Sequence, residues 1–131
     1  MLNVSIQPPG TGKLTFQAER ANTFLKRFTG LMGKAHLPPG TGLLLYPCNS
    51  IHMMFMRFPI DAIFFDRNYR ILKIIHSLKP WIGLAGALGA YGVLELPAGS
   101  LESLKGLSHN QSLILQIEPY DSYTGELSSE N

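Results

Sequence analysis

The sequence predicts a mainly β fold, a single-domain β-barrel or sandwich with two short helices. Short runs of apolar or alternating residues recur along the 131-residue chain, and clusters of Gly, Pro, Asn and Asp separate them. Only two segments have a helical pattern, and both are short. Apolar residues make up 45% of the chain and charged residues 15%. A chain of this length can therefore bury a substantial core without disulfides.

The first two predicted strands occupy residues 2–6 and 13–19. In the second, Leu14, Phe16 and Ala18 alternate with polar residues, as in a strand with one exposed face. The connection through residues 8–12 is a Pro-Pro-Gly-Thr-Gly turn. It resembles a phosphate-binding loop only superficially, because a strand follows it where that motif requires a helix. We therefore expect no nucleotide cofactor.

The remaining elements follow in order, each bounded by turn residues. We predict a short helix over 24–29, strands over 43–46, 50–55 and 60–65, a hairpin turn at 66–69, strands over 70–78 and 92–96, a short helix over 100–105 and a last strand over 112–118. Residues 1–118 would form one β-rich domain. Residues 119–131 are rich in Ser, Glu and Asn and should be a disordered acidic tail.

Charge and targeting signals narrow the possible partners. The net charge of +2 is scattered along the sequence, which argues against a nucleic-acid interface. No apolar run reaches the roughly 18 residues that a membrane helix needs. The N-terminus lacks the basic and apolar regions of a signal peptide, and the chain has one cysteine. These features favour the cytoplasm.

The segment from 48 to 66 is the candidate functional region. It places Cys48, His52, Arg57 and Asp61 within an otherwise apolar run that reads as two buried strands. Buried polar groups cost free energy unless they are paired, so each requires an explanation. Arg57 and Asp61 flank a Pro break and could simply form an ion pair across the corner. Alternatively, the Arg57 guanidinium could dock the carboxylate or phosphate of a ligand.

Nucleophilic catalysis through Cys48 or Ser50 with His52 is a weaker possibility. On a continuous strand Cys48 and His52 would be about 13 Å apart, and Ser50 and His52 about 7 Å apart. Neither distance allows a hydrogen bond without a bend, although His76 or His109 could supply another partner. The chain has no closely spaced Cys or His pairs, so we expect no metal site.

A Gly-rich apolar stretch at 81–91 begins with Trp81 and has Gly at every third position from Gly83. Glycine at this density opposes regular structure, so a mobile loop is expected. Such a loop could fold back onto the barrel, form a lid over the candidate region or dock a partner protein.

Five segments together resemble the domain-of-unknown-function family 192, in its cytoplasmic-type branch. They are RFTGLM at 27–32, GLLLY at 42–46, HMMFMRFPID at 52–61, LKPW at 78–81 and VLELPAG at 93–99. Many members have Lys-Asn-Thr at 57–59 and a signal peptide, and the Gly-rich stretch also departs from the family. The resemblance implies a compact, mostly β fold and no assigned activity.

The functional expectation is a non-catalytic domain that binds a small ligand or peptide. Its pocket would lie at the corner of His52, Arg57 and Asp61, bordered by Trp81. A hydrolase or transferase using Cys48 or Ser50, and a protein-interaction module docking through 81–91, remain the alternatives.

Overall fold

The fold is mainly β, as the sequence predicts. A computed structural model describes residues 2–10, 12–21, 37–47, 50–52, 58–79, 84–106 and 113–119. The strands in these ranges are β1 (Leu2–Ile6), β2 (Leu14–Ala21), β3 (Thr41–Leu45), β4 (Ser50–His52), β5 (Ile60–Phe65), β6 (Ile71–Leu78), β7 (Leu84–Gly86), β8 (Gly92–Pro97) and β9 (Gln116–Pro119).

Seven of these strands form one sheet in the order β6-β5-β8-β3-β2-β1-β9. Neighbouring strands run antiparallel except β2 and β3, which are parallel. A parallel pair requires a long crossover, and residues 22–40 connect β2 to β3.

The two edges of the sheet are joined by the chain at 113–119. β9 pairs with β1 at one edge. The residues just before it reach the other edge, where the Ile71 N–H donates to the Leu113 carbonyl at 2.9 Å and the Leu115 N–H to the Tyr69 carbonyl at 2.8 Å. The sheet therefore curls into a half-barrel, whose two edges are linked at one end by these hydrogen bonds.

Two apolar clusters cover the two faces of this curled sheet. The inner cluster collects side chains from the middle strands and both edges, including Val4, Phe16, Leu44, Ile63, Phe65, Leu94, Leu96 and Leu115. The outer cluster is smaller and comprises Leu43, Leu45, Ile60, Ala62, Phe64, Ala85 and Val93. β5 is buried at every residue, because both of its faces are covered.

A two-stranded ribbon of β4 and β7 lies over the outer face. His52 pairs with Leu84 and Ser50 with Gly86. Ala85 packs into the outer cluster, and Lys73 Nζ donates to the Gly86 carbonyl at 3.1 Å. The expectation of an irregular loop throughout 81–91 is therefore wrong at Leu84–Gly86, where pairing with β4 satisfies the backbone and small residues allow close packing.

The predicted helices are only partly described. The helix expected at 100–105 is a 3₁₀ turn, Glu102–Leu104, and Gly106 follows it with φ of 85°. The helix expected at 24–29 and the acidic tail beyond Pro119 lie outside the described residues. The strand expected at 50–55 is described as far as His52.

Gly92 provides a stability prediction. A Cβ at this position would clash with the Phe65 ring and lie 2.8 Å from the Leu45 carbonyl oxygen. We expect Gly92→Ala to lower the free energy of unfolding by about 1–3 kcal/mol, because a packed sheet cannot accommodate the methyl group without strain. Denaturant titration measures the effect. Gly12→Ala is the control, since a Cβ at Gly12 meets no atom within 4 Å, and an equal loss in both variants would contradict the packing account.

Candidate functional site

Asp61 is fully buried at the start of β5, where its carboxylate accepts three backbone hydrogen bonds. Oδ1 accepts from the Ser77 N–H at 2.9 Å, and Oδ2 accepts from the N–H groups of Gly99 at 3.1 Å and Leu101 at 3.0 Å. Both oxygens are therefore used, and the charge is stabilised by amides from two distant segments.

These bonds explain the local backbone at the Asp61 end of the sheet. Ser77 lies in an irregularity of the β5–β6 pairing and has φ of 54°, which a non-glycine residue rarely adopts. The bonds to Gly99 and Leu101 hold the turn after β8, so that Leu101 and Leu104 insert into the inner cluster. Asp61 thus anchors the end of the barrel.

Among the described residues Glu95 is also a buried carboxyl group, and it lies on the opposite face of the sheet from Asp61. It pairs laterally with Leu43 on β3 and Ala62 on β5, both members of the outer cluster. The residue is 6% exposed, and burial raises its pKa from 4.5 to about 7. No side-chain hydrogen bond or ion pair of Glu95 is found within the described residues. A carboxyl group in this setting is a candidate for ligand contact.

Among the sequence-predicted site residues, the structure describes Asp61 and the backbone of His52, and it places them on different faces of the sheet. Since Asp61 lies between Ile60 and Ala62, both in the outer cluster, its side chain points to the inner face. His52 belongs to β4, in the ribbon that covers the outer face. Arg57, Trp81 and Cys48 lie outside the described residues.

The candidates for nucleophilic catalysis are only partly covered by the structure. Ser50 and His52 occupy one short extended strand, the arrangement for which a separation of about 7 Å is expected. His76 has a buried Nδ1 that finds no hydrogen-bond partner among the residues that the structure describes. His109 lies outside those residues.

The described ranges contain neither a metal-binding cluster nor a membrane-spanning helix. There, no three His, Cys, Asp or Glu side chains are grouped closely enough to hold a metal ion. In the same ranges, no helix is long and apolar enough to cross a membrane.

Glu95 was detectable from the sequence but does not appear among the predicted site residues. It is an acidic residue within the apolar run Val-Leu-Glu-Leu-Pro at 93–97. Like Asp61, Glu95 is a charged residue inside a buried strand, so its burial also costs free energy. By contrast, the backbone groups that donate to Asp61 belong to Ser77, Gly99 and Leu101, which lie 16, 38 and 40 positions further along the chain. No local sequence pattern reveals such distant partners.

Two curated archaeal proteins are similar to this chain. The chain is 38% identical over 91 residues to UPF0127 protein PH1112 of Pyrococcus horikoshii, an alignment that covers 65% of this chain and 76% of the relative. It is 33% identical over 110 residues to UPF0127 protein PF1050 of Pyrococcus furiosus, covering 79% and 88%.

The fold is also shared with a solved structure. A protein of unknown function from Novosphingobium aromaticivorans superimposes with a TM-score of 0.75 at 22% identity, over 87% of this chain and 83% of that one. The model of the DUF192 family, described as Uncharacterized ACR, matches residues 5–113. With the similarity to the archaeal UPF0127 proteins, this match shows that the chain belongs to the DUF192 family.

Proposed function

We propose that this protein is a non-catalytic domain that binds a small ligand or a short peptide on the outer face of its sheet, beneath the β4–β7 ribbon. The observation that carries the proposal is Glu95. Its carboxyl group is buried among apolar side chains and has a pKa raised to about 7. No side-chain partner of Glu95 is found within the described residues, and a ligand that pairs with a buried carboxyl group would offset the free-energy cost of its burial.

The surroundings of Glu95 support a binding role. The outer cluster supplies an apolar floor, and Phe58, Ile75 and Leu78 pack at its margin. Ligand pockets commonly combine apolar walls with a few polar groups that fix orientation. Glu95 would accept a hydrogen bond from an amine or amide of the ligand.

The residues predicted from the sequence complete this proposal. His52, in the ribbon, and Arg57, just before Phe58, would supply donors for a ligand carboxylate, and Trp81 would border the pocket. Asp61 would support the corner through its backbone contacts on the inner face. An amino acid or a short peptide would match this arrangement. Its amine or amide would pair with Glu95, and its carboxylate would pair with His52 and Arg57.

The test is a thermal-shift screen of amino acids, dipeptides and organic acids, followed by calorimetric titration of any stabilising compound. Because a hydrogen bond to a charged group contributes about 1.5–3 kcal/mol, we expect Glu95→Gln to weaken binding roughly tenfold to a hundredfold. Arg57→Gln should have a comparable effect.

Glu118→Gln and Arg70→Gln are the matched controls, since both positions are exposed. Their affinities should equal that of the unaltered protein. The proposal fails if no compound in the screen stabilises the protein. It also fails if Glu95→Gln and Arg57→Gln bind the stabilising compound as tightly as the controls do.

A further inference from the structure

Four side chains form a continuous stack at the opposite end of β5 from Asp61. The Arg20 guanidinium lies 4.4 Å from the Tyr46 ring centroid, Tyr46 and Tyr91 are 5.8 Å apart, and the Arg67 guanidinium lies 4.8 Å from the Tyr91 centroid. Both tyrosines also pack against the inner cluster. The stack therefore fixes the position of an exposed guanidinium at each end.

A cleft of about 460 Å³ opens beside Arg67. Pro47, Ala90 and Tyr91 line one part of it, and Arg67 and Asn68 contribute the polar groups. Its volume lies within the range of about 300–1,000 Å³ that small-molecule sites occupy. Gly89 lies at its margin, and a Cβ there would meet nothing within 4 Å. The cleft is therefore large enough for a small organic molecule.

Among the described residues that line the cleft, Arg67 is the one cation, and its hydrogen-bond donors are available to an anion. Asp66, which also lines it, directs Oδ1 into its own turn, where this atom accepts from the N–H groups of Asn68 at 2.8 Å and Arg70 at 3.0 Å. Arg67 makes no ion pair within the described residues. Stacking on a ring uses the face of a guanidinium and leaves its in-plane N–H donors available.

We infer that this cleft binds a small organic monocarboxylate, with the carboxylate held by two N–H groups of Arg67. The planar fork of arginine matches the two oxygens of a carboxylate. Asn68 provides a further donor, and Pro47 and Ala90 provide apolar contact for the body of the molecule. With one cation and the Asp66 carboxylate in the same cleft, a dianion would be less well accommodated than a monoanion.

The experiment is a two-dimensional ¹H–¹⁵N NMR titration with benzoate, with benzamide as the neutral analogue and inorganic phosphate as the competing anion. We expect benzoate to cause saturable shifts of the Asn68, Ala90 and Tyr91 amides and of the Arg67 side-chain N–H. Benzamide should cause none, and phosphate should bind at least tenfold more weakly than benzoate.

Substitutions of Arg67 test whether its guanidinium holds the carboxylate of benzoate. Arg67→Gln should abolish the benzoate shifts, and Arg67→Lys should weaken binding about tenfold, because lysine keeps the charge but loses the fork. Arg70→Gln and Glu95→Gln should leave binding unchanged, which separates this site from the pocket of the proposed function. Absence of localised shifts, shifts that persist in Arg67→Gln, or tighter binding of phosphate would each overturn the inference.

Discussion

Asp61→Asn is expected to lower the free energy of unfolding by about 3–5 kcal/mol. The carboxylate uses both oxygens to accept from Ser77, Gly99 and Leu101, and it is completely buried. Asparagine keeps one acceptor oxygen and places an NH₂ group against the remaining amide or amides. Those donors would then be buried without a partner. Denaturant unfolding measures the loss, and hydrogen exchange should show faster exchange at the Gly99 and Leu101 amides.

Asp66→Asn is the matched control. Asp66 also accepts two backbone hydrogen bonds, but both go to Oδ1 and lie in an exposed turn. Asparagine can keep both bonds through its own oxygen, so we expect a loss of at most about 1 kcal/mol. If the two variants were equally stable, Asp61 would not be the anchor of the barrel end.

The stability of this protein should fall as the pH rises from about 5 to about 8, by roughly 2–3 kcal/mol through Glu95 alone. Its pKa is about 7 in the folded protein against an ordinary value of 4.5. The folded state therefore binds the proton more tightly than the unfolded chain does. The resulting stabilisation is present below pH 4.5 and is lost as the pH rises through the folded-state pKa.

Glu95→Gln removes this dependence because glutamine has nearly the same shape and no charge to desolvate. We expect the stability difference between the two pH values to shrink by roughly 2–3 kcal/mol in this variant. Glu118→Gln, at an exposed position, should retain the pH dependence of the unaltered protein. An identical pH profile for the unaltered protein and Glu95→Gln would show that Glu95 ionises freely.

Local patterns were sufficient for most of the strands. The alternation around Phe16 and Ala18 predicts β2, and both side chains are buried in the inner cluster. The continuous apolar run at 60–65 predicts a strand covered on both faces, and β5 is buried at every residue. The turn after it is also confirmed, since the Asp66 N–H donates to the Arg70 carbonyl at 3.0 Å. In each case the sequence pattern that predicts the element lies within a few neighbouring residues.

The roles of the two buried carboxyl groups could not be predicted in this way, because they depend on contacts between distant parts of the chain. The sequence places Asp61 in a buried strand, but the opposite orientations of Asp61 and Glu95 follow from the pairing of β5 with β8. The same is true of Leu84–Gly86, whose strand conformation depends on β4 as its partner. Glycine content alone favours a loop there.

The most direct test of the account is an NMR pH titration of the Glu95 side-chain carboxyl carbon, without ligand and with a saturating compound from the thermal-shift screen. We expect a midpoint near 7 in the free protein, since the group is buried on the outer face of the sheet. Binding should displace that midpoint, because the ligand would pair with the carboxyl group. A midpoint near 4.5, or one that a bound ligand leaves unchanged, would contradict a binding pocket built on Glu95.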